Sequence, residues 1–182
     1  MMNEDIERVL YSHDDLVQAC HKVGKQISQD YEGKTPILIG LLNGCIPFFA
    51  ELIKHIEIPM QTEFMQVKSY FGGTESSGKV KIISNINFPI EGRDVIVCDD
   101  ILDTGRTLVQ IKNMLLAQGA NSVKICCMLN KVDAHKDLNL TIDYVALEVE
   151  NQFVVGFGLD YNEIYRNLPY VGVLKEEIYS DK

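Results

Sequence analysis

The chain has 182 residues, 46% of them apolar and 24% charged, with a formal net charge of −9. That length supports one well-buried domain rather than two, and the composition excludes both disorder and a membrane-embedded chain. The acidic balance argues against a nucleic-acid partner, because a phosphate backbone wants a basic face.

In chain order, Ser12 with Asp15 reads as a capping box, and Leu16, Cys20, Val23 and Ile27 then hold one helical face up to Tyr31. Glu32-Gly33-Lys34 ends that helix. Pro36 to Leu42 is a fully apolar strand, followed by an Asn43-Gly44 turn and a helix through Phe48, Phe49, Leu52 and Ile53. Ile58 to Val67 and Val80 to Ser84 read as strands joined by a polar, glycine-rich loop from Lys68 to Lys79. Val95 to Cys98 is a buried strand; Asp99, Asp100 and Asp103 follow it, and Leu108, Ile111 and Leu115 predict a helix stopped by Gly119. Strands are then predicted over Val123 to Leu129, Ile142 to Val149, Phe153 to Phe157 and Tyr170 to Leu174. Strands alternating with helices in the middle of the chain predict an α/β fold, a mainly parallel, doubly wound sheet flanked by helices. The chain ends are expected to form a small irregular hood, residues 1–12 and 151–182, over a core of about 36–150, all in one domain.

The chemistry concentrates between Asp94 and Leu108. A strand, a small-residue turn (Thr104-Gly105-Arg106-Thr107) and a helix N-terminus make an anion site, because unpaired N–H groups and the positive end of the helix dipole face the same space. Asp99, Asp100 and Asp103 would repel a phosphate unless a divalent cation or sugar hydroxyls came between. A phosphorylated ribose satisfies both halves. The plainer reading is that these acids cap the helix and solubilise a strand end, but three of them bracketing Ile101-Leu102 exceed what capping needs.

Other motifs carry less. Gly73 to Lys79 nearly matches a phosphate-cradling P-loop, but Val80 stands where Ser or Thr should be and strand residues follow instead of a helix. Gly156-Phe157-Gly158 lacks the third glycine and the helix of a dinucleotide fingerprint. Five cysteines without a C-x-x-C pair read as reduced, mostly buried thiols, and four scattered histidines show no metal-ligand spacing. No apolar run approaches the roughly eighteen residues of a spanning helix, and Met1 to Leu10 is acidic where a secretory leader is basic and then apolar. A cytoplasmic location without a membrane partner is expected.

The run D-V-I-V-C-D-D-I-L-D-T-G-R-T resembles the signature of the phosphoribosyltransferase family for 5-phosphoribosyl-1-pyrophosphate, with Arg106 in the variable place and Asp99 where Glu is more usual. The resemblance is closest to the hypoxanthine-guanine group and runs from about Ile37 to Val173. Leu42-Asn43-Gly44 is similar to the turn whose backbone meets pyrophosphate, with Asn43 replacing the usual basic residue. Lys68-Ser69-Tyr70 resembles the start of a mobile lid over residues 68–79, and Lys131 the lysine that meets the purine's exocyclic oxygen. Phe153-Val154-Val155-Gly156, with Asp160 and Arg166, resembles the C-terminal block in which Phe stacks on the base, the next backbone meets the purine edge, Asp binds magnesium and Arg meets pyrophosphate.

The resemblance implies the type I phosphoribosyltransferase fold and transfer of a phosphoribosyl group to hypoxanthine, and to guanine, in purine salvage. It implies Asp103 as general base, the turn Thr104 to Thr107 with Asp99 and Asp100 on the phosphoribosyl group, and Mg2+ held by Asp160 with Asp99 and Asp100. A homodimer or homotetramer is implied as well. Each residue has a plainer reading: Lys131 as a solvated loop lysine, Phe153 as core, Tyr70 as an exposed loop aromatic, Arg166 as the partner of Glu163. A transferase for xanthine, another 6-oxopurine or a pyrimidine shares the central stretch, and a non-catalytic regulator with this fold is the remaining alternative.

Overall fold

The computed structural model describes residues 2–69, 80–84, 86, 89–134 and 140–180. Its first element after a short 3-10 turn is β1 (Ile6–Tyr11), which has no counterpart among the predicted elements. Then follow α1 (His13–Asp30), β2 (Ile37–Leu42), α2 (Ile46–Leu52), β3 (Gln61–Ser69), β4 (Val80–Ser84), β5 (Asp94–Leu102) and α3 (Arg106–Ala117). The chain closes with β6 (Ser122–Lys131), β7 (Tyr144–Val149), β8 (Val154–Val155), β9 (Val171–Leu174) and α4 (Glu176–Tyr179).

The capping box forms as read: the Ser12 hydroxyl accepts from the Asp15 N–H, and the Asp15 carboxylate accepts from the Ser12 N–H at 2.8 Å. Strand β3 starts later than predicted, because Pro59 has no N–H to give a ladder. The strand expected from Phe153 to Phe157 shrinks to Val154–Val155, since Gly156 and Phe157 turn to φ 97° and 49°. Among the described residues, no helix is long and apolar enough to cross a membrane.

Six strands form one sheet in the order β4-β3-β2-β5-β6-β7, all parallel except β4, which runs antiparallel to β3. Period-two alternation sorts its side chains. Ile37, Ile39, Leu41, Val95 and Val97 pack with Leu108, Ile111 and Leu115 of α3 on one face. Leu38, Ile96, Cys98, Cys126 and Met128 pack with Leu16, Cys20, Val23, Phe48 and Leu52 of α1 and α2 on the other. All five cysteines are buried and free of disulfides, and burial pushes the Cys20 thiol up to about 12, which fits packing rather than reactivity.

The chain ends build a second, antiparallel sheet, β1-β9-β8, so the hood is more regular than expected. Tyr165 Oη donates to Asp5 at 2.9 Å and Tyr170 Oη to Asn3 at 2.7 Å, tying the N-terminal turn to it.

At the opposite end of β5 from the acids, Asp94 Oδ1 accepts from Ser122 Oγ at 2.6 Å and Asn121 Nδ2 at 2.7 Å, while Lys34 Nζ lies 3.5 Å from Oδ2. The Ser122 hydroxyl foremost, then Asn121 and Lys34, hold this carboxyl below its ordinary value of 3.8. A depressed carboxyl stabilises the fold above its unfolded value, and that contribution disappears as pH falls through the folded one. Asp94→Asn is therefore expected to lower unfolding free energy by about 1–2 kcal/mol at neutral pH. In urea titrations the gap from the parent protein should close as pH drops below the ordinary carboxylate range; a gap independent of pH would contradict this.

Candidate active site

Sheet order places the site before any side chain is considered. From β2 the chain steps to β3 on one side, whereas β5 steps to β6 on the other, so the C-terminal ends of β2 and β5 part where the winding reverses. In open parallel sheets a crevice opens there. Leu42-Asn43-Gly44 leaves β2 into it, the acids and the Thr104 turn leave β5, Lys131 ends β6, and the segment after β7 carries Phe153. The peptide between Leu42 and Asn43 is cis.

β5 runs on to Leu102, so Asp99 and Asp100 lie inside the strand rather than beyond it. Asp99 lines a cavity of about 240 Å3 with Ile101, Asp103, Thr104, Gly105 and Thr107. Asp100 lines another, of about 210 Å3, with Ile101, Asp103, Lys131, Phe153 and Asp160. Asp103 and Ile101 border both. Gly105 takes φ 67° as the N-cap of α3 and gives no side-chain cap.

Electrostatics sharpen the picture. Burial pushes the Asp99 carboxyl well above the usual range, and the neighbouring Asp100 charge adds to it. Burial raises Asp100 as well, opposed by the Ile101 N–H, which donates to Asp100 Oδ1 at 2.8 Å, and by the positive charge of Arg166. Two adjacent desolvated carboxylates invite a cation or hydroxyl donors. Asp103, by contrast, is exposed, with Lys131 Nζ 3.7 Å from its Oδ2.

Arg166 Nη2 reaches Asp160 Oδ1 at 2.8 Å and Glu163 Oε2 at 2.9 Å, while Nη1 donates to the Gly158 carbonyl at 2.8 Å. The plainer reading of Arg166 as the partner of Glu163 thus holds together with its place beside Asp160. Phe153 is 36% exposed and is not core. Val154 is buried at the start of β8 and lines the cavity with it. Lys68 and Ser69 end β3, their side chains outside the described residues, as are Tyr70 and residues 71–79.

Residues 9–162 match the profile of the phosphoribosyl transferase domain. The chain belongs to the phosphoribosyl transferase family. It is 49% identical over 180 residues to a hypoxanthine-guanine phosphoribosyltransferase of Streptococcus pyogenes and 51% identical over 180 residues to one of Streptococcus agalactiae, covering 99% of both chains in each pairing. The crystal structure of a hypoxanthine phosphoribosyltransferase from Staphylococcus aureus superposes with a TM-score of 0.94 at 42% identity, covering 99% of this chain and 97% of that one.

Several residues shape this phosphoribosyl transferase crevice through contacts that local sequence does not reveal. Leu159 lines the cavity beside Asp160, and Tyr161 and Tyr179 contact the Phe153 ring. Gly158, dismissed as part of a weak fingerprint, packs so closely that a Cβ there would lie 1.9 Å from the Gly44 carbonyl oxygen. Gly44 is equally constrained, since its Cβ would lie 1.7 Å from Asp100 Oδ2. Gly44→Ala is expected to cost about 1–3 kcal/mol in urea unfolding. Adding Asp100→Ala should recover most of that loss, because the clash is gone; strictly additive costs in the double-mutant cycle would contradict it.

Proposed function

We propose that this chain transfers the 5-phosphoribosyl group from 5-phosphoribosyl-1-pyrophosphate to a 6-oxopurine, hypoxanthine and also guanine, releasing pyrophosphate and the nucleoside 5′-monophosphate. The observation that supports it most is the shared border of the two cavities. One is lined by a helix N-terminus, small turn residues and Asp99; the other by an aromatic ring, a lysine and Ile101; Asp103 stands between them. A new bond between sugar and base has to form at such a junction.

On this reading the backbone N–H groups of Thr104, Gly105, Arg106 and Thr107 hold the 5-phosphate, and Asp99 and Asp100 accept from the ribose hydroxyls. Leu42, Asn43 and Gly44 present backbone to the pyrophosphate, and Arg166 adds a guanidinium. Phe153 stacks on the purine, the Val154 backbone meets its edge, and the Lys131 ammonium donates to the 6-oxo group. Asp103 accepts the proton from the attacking ring nitrogen while positive charge develops at the anomeric carbon.

The donor set suits magnesium. Asp160 presents carboxylate oxygens beside Arg166, and burial raises the Asp99 and Asp100 carboxyls, whose charged forms a cation would favour. Mg2+ takes one or two carboxylates and completes its shell with phosphate and water oxygens, so a full protein cage is not required. Bound there, it would neutralise charge building on the departing pyrophosphate.

The same reading takes the chain as one domain, with a core of about 36–150, a hood of 1–12 and 151–182, and a lid over 68–79 led by Lys68, Ser69 and Tyr70. It also takes the chain as a cytoplasmic homodimer or homotetramer. These points rest on the resemblance.

Base choice follows from Lys131. A 6-oxo group accepts its proton, whereas the amino group of adenine leaves a buried donor facing a donor, a mismatch of about 1–3 kcal/mol. Supplied with magnesium, the activated ribose donor and each of hypoxanthine, guanine, xanthine and adenine, the protein should form nucleotide from hypoxanthine and guanine. Adenine should be used at least about tenfold less well; adenine used equally would remove Lys131 from this role. Asp103→Asn should retain fold and substrate binding while lowering kcat about a hundredfold or more. Unchanged kcat would take the proton away from Asp103.

A further inference from the structure

Phe153 lies in the connection between β7 and β8, outside any strand, where neither ladder orients its side chain. A third of its surface is open, so an isolated ring there would rotate freely about χ1 and χ2. Two attachments oppose that. The Phe153 carbonyl accepts from the Leu174 N–H at 2.9 Å, anchoring the backbone to the end of β9. The chain then turns through Lys175 into α4, whose last residue, Tyr179, lays its ring on Phe153 with centroids 4.8 Å apart and planes 20° from parallel. Tyr161 meets the same ring at 5.6 Å and 87°.

Phe153 lines the base cavity and Tyr179 does not, so the stacked tyrosine backs the ring from outside the cavity. From this geometry we propose that Tyr179 is a positioning residue that sets the plane of the Phe153 ring and so prepares the surface on which the purine stacks. The inference rests on the reading of Phe153 as the stacking residue. A ring already held parallel to an arriving base spares the base the work of ordering it, and such pairs are worth enough to change affinity several-fold.

The test compares Phe153→Leu, Tyr179→Leu, Tyr179→Phe and the Phe153→Leu/Tyr179→Leu double variant. Kinetics are measured with hypoxanthine and with the ribose donor varied separately, alongside thermal unfolding. Tyr179→Leu should raise KM for the purine roughly three- to tenfold, with kcat and the KM for the ribose donor within about twofold of the parent. Tyr179→Phe, which keeps the stack, should restore the parent purine KM. In the double variant the tyrosine change should add nothing to Phe153→Leu, because the ring it positions is gone. If Phe153→Leu raises the purine KM and Tyr179→Leu does not, the proposal fails while the role of Phe153 stands. If Phe153→Leu itself leaves the purine KM unchanged, the stacking reading fails and takes the proposal with it. Additive effects in the double variant, or equal losses for both substrates with lowered thermal stability, would assign Tyr179 to the fold alone.

Discussion

Two half-buried carboxylates side by side near the end of the central strand are the condition to which the rest of this molecule answers. Asp99 and Asp100 repel one another across one peptide, and desolvation penalises both charges. The Ile101 N–H supports Asp100, the Asp100 N–H supports Asp99 Oδ1 at 3.0 Å, and Gly44 withholds the side chain that would collide with Asp100. Local hydrogen bonds leave the conflict only partly relieved. On the proposed function, the hydroxyls of an activated ribose and an accompanying cation would relieve the remainder.

Much of this was legible in the sequence, and the parts that were share a cause. The capping box at Ser12, the apolar strand before Asp99 and the helix after Gly105 are local patterns in which each residue's neighbours along the chain are its neighbours in space. The order of acids and turn residues was readable because strand, turn and helix N-terminus form one continuous piece. What escaped was whatever depends on residues far apart in the chain. β1 is a short, half-polar segment whose partner, β9, lies at the other end of the molecule, so its alternation alone made no case. Tyr179 was silent for the same reason, since nothing near it in sequence reveals that it lies on Phe153.

The glycines show the limit most clearly. Gly158 reads in sequence as part of a weak nucleotide-binding fingerprint, yet its lack of a side chain is indispensable where its backbone meets Gly44. Gly44 in turn meets Asp100. Three segments, one after β2, one inside β5 and one from the hood, thereby touch through backbone and carboxylate with no room for a methyl group. A pattern search looks for glycine in fixed spacing, whereas packing asks for it wherever two backbones converge.

That contact also explains why the chain ends return to cover the core. The parallel sheet alone supplies the acids, the turn after β5 and Lys131, all on strand ends that diverge. It supplies no opposing wall. Phe153, Val154, Leu159 and Asp160 supply it, and each lies in the segment that runs through the hood sheet. Arg166 is held within that segment by Glu163, Asp160 and the Gly158 carbonyl, so the guanidinium moves with the wall and not with the sheet. On the proposed function, an incoming pyrophosphate would compete with those two carboxylates for Arg166. A cation on Asp160 would weaken one of them through charge alone, without a change of fold.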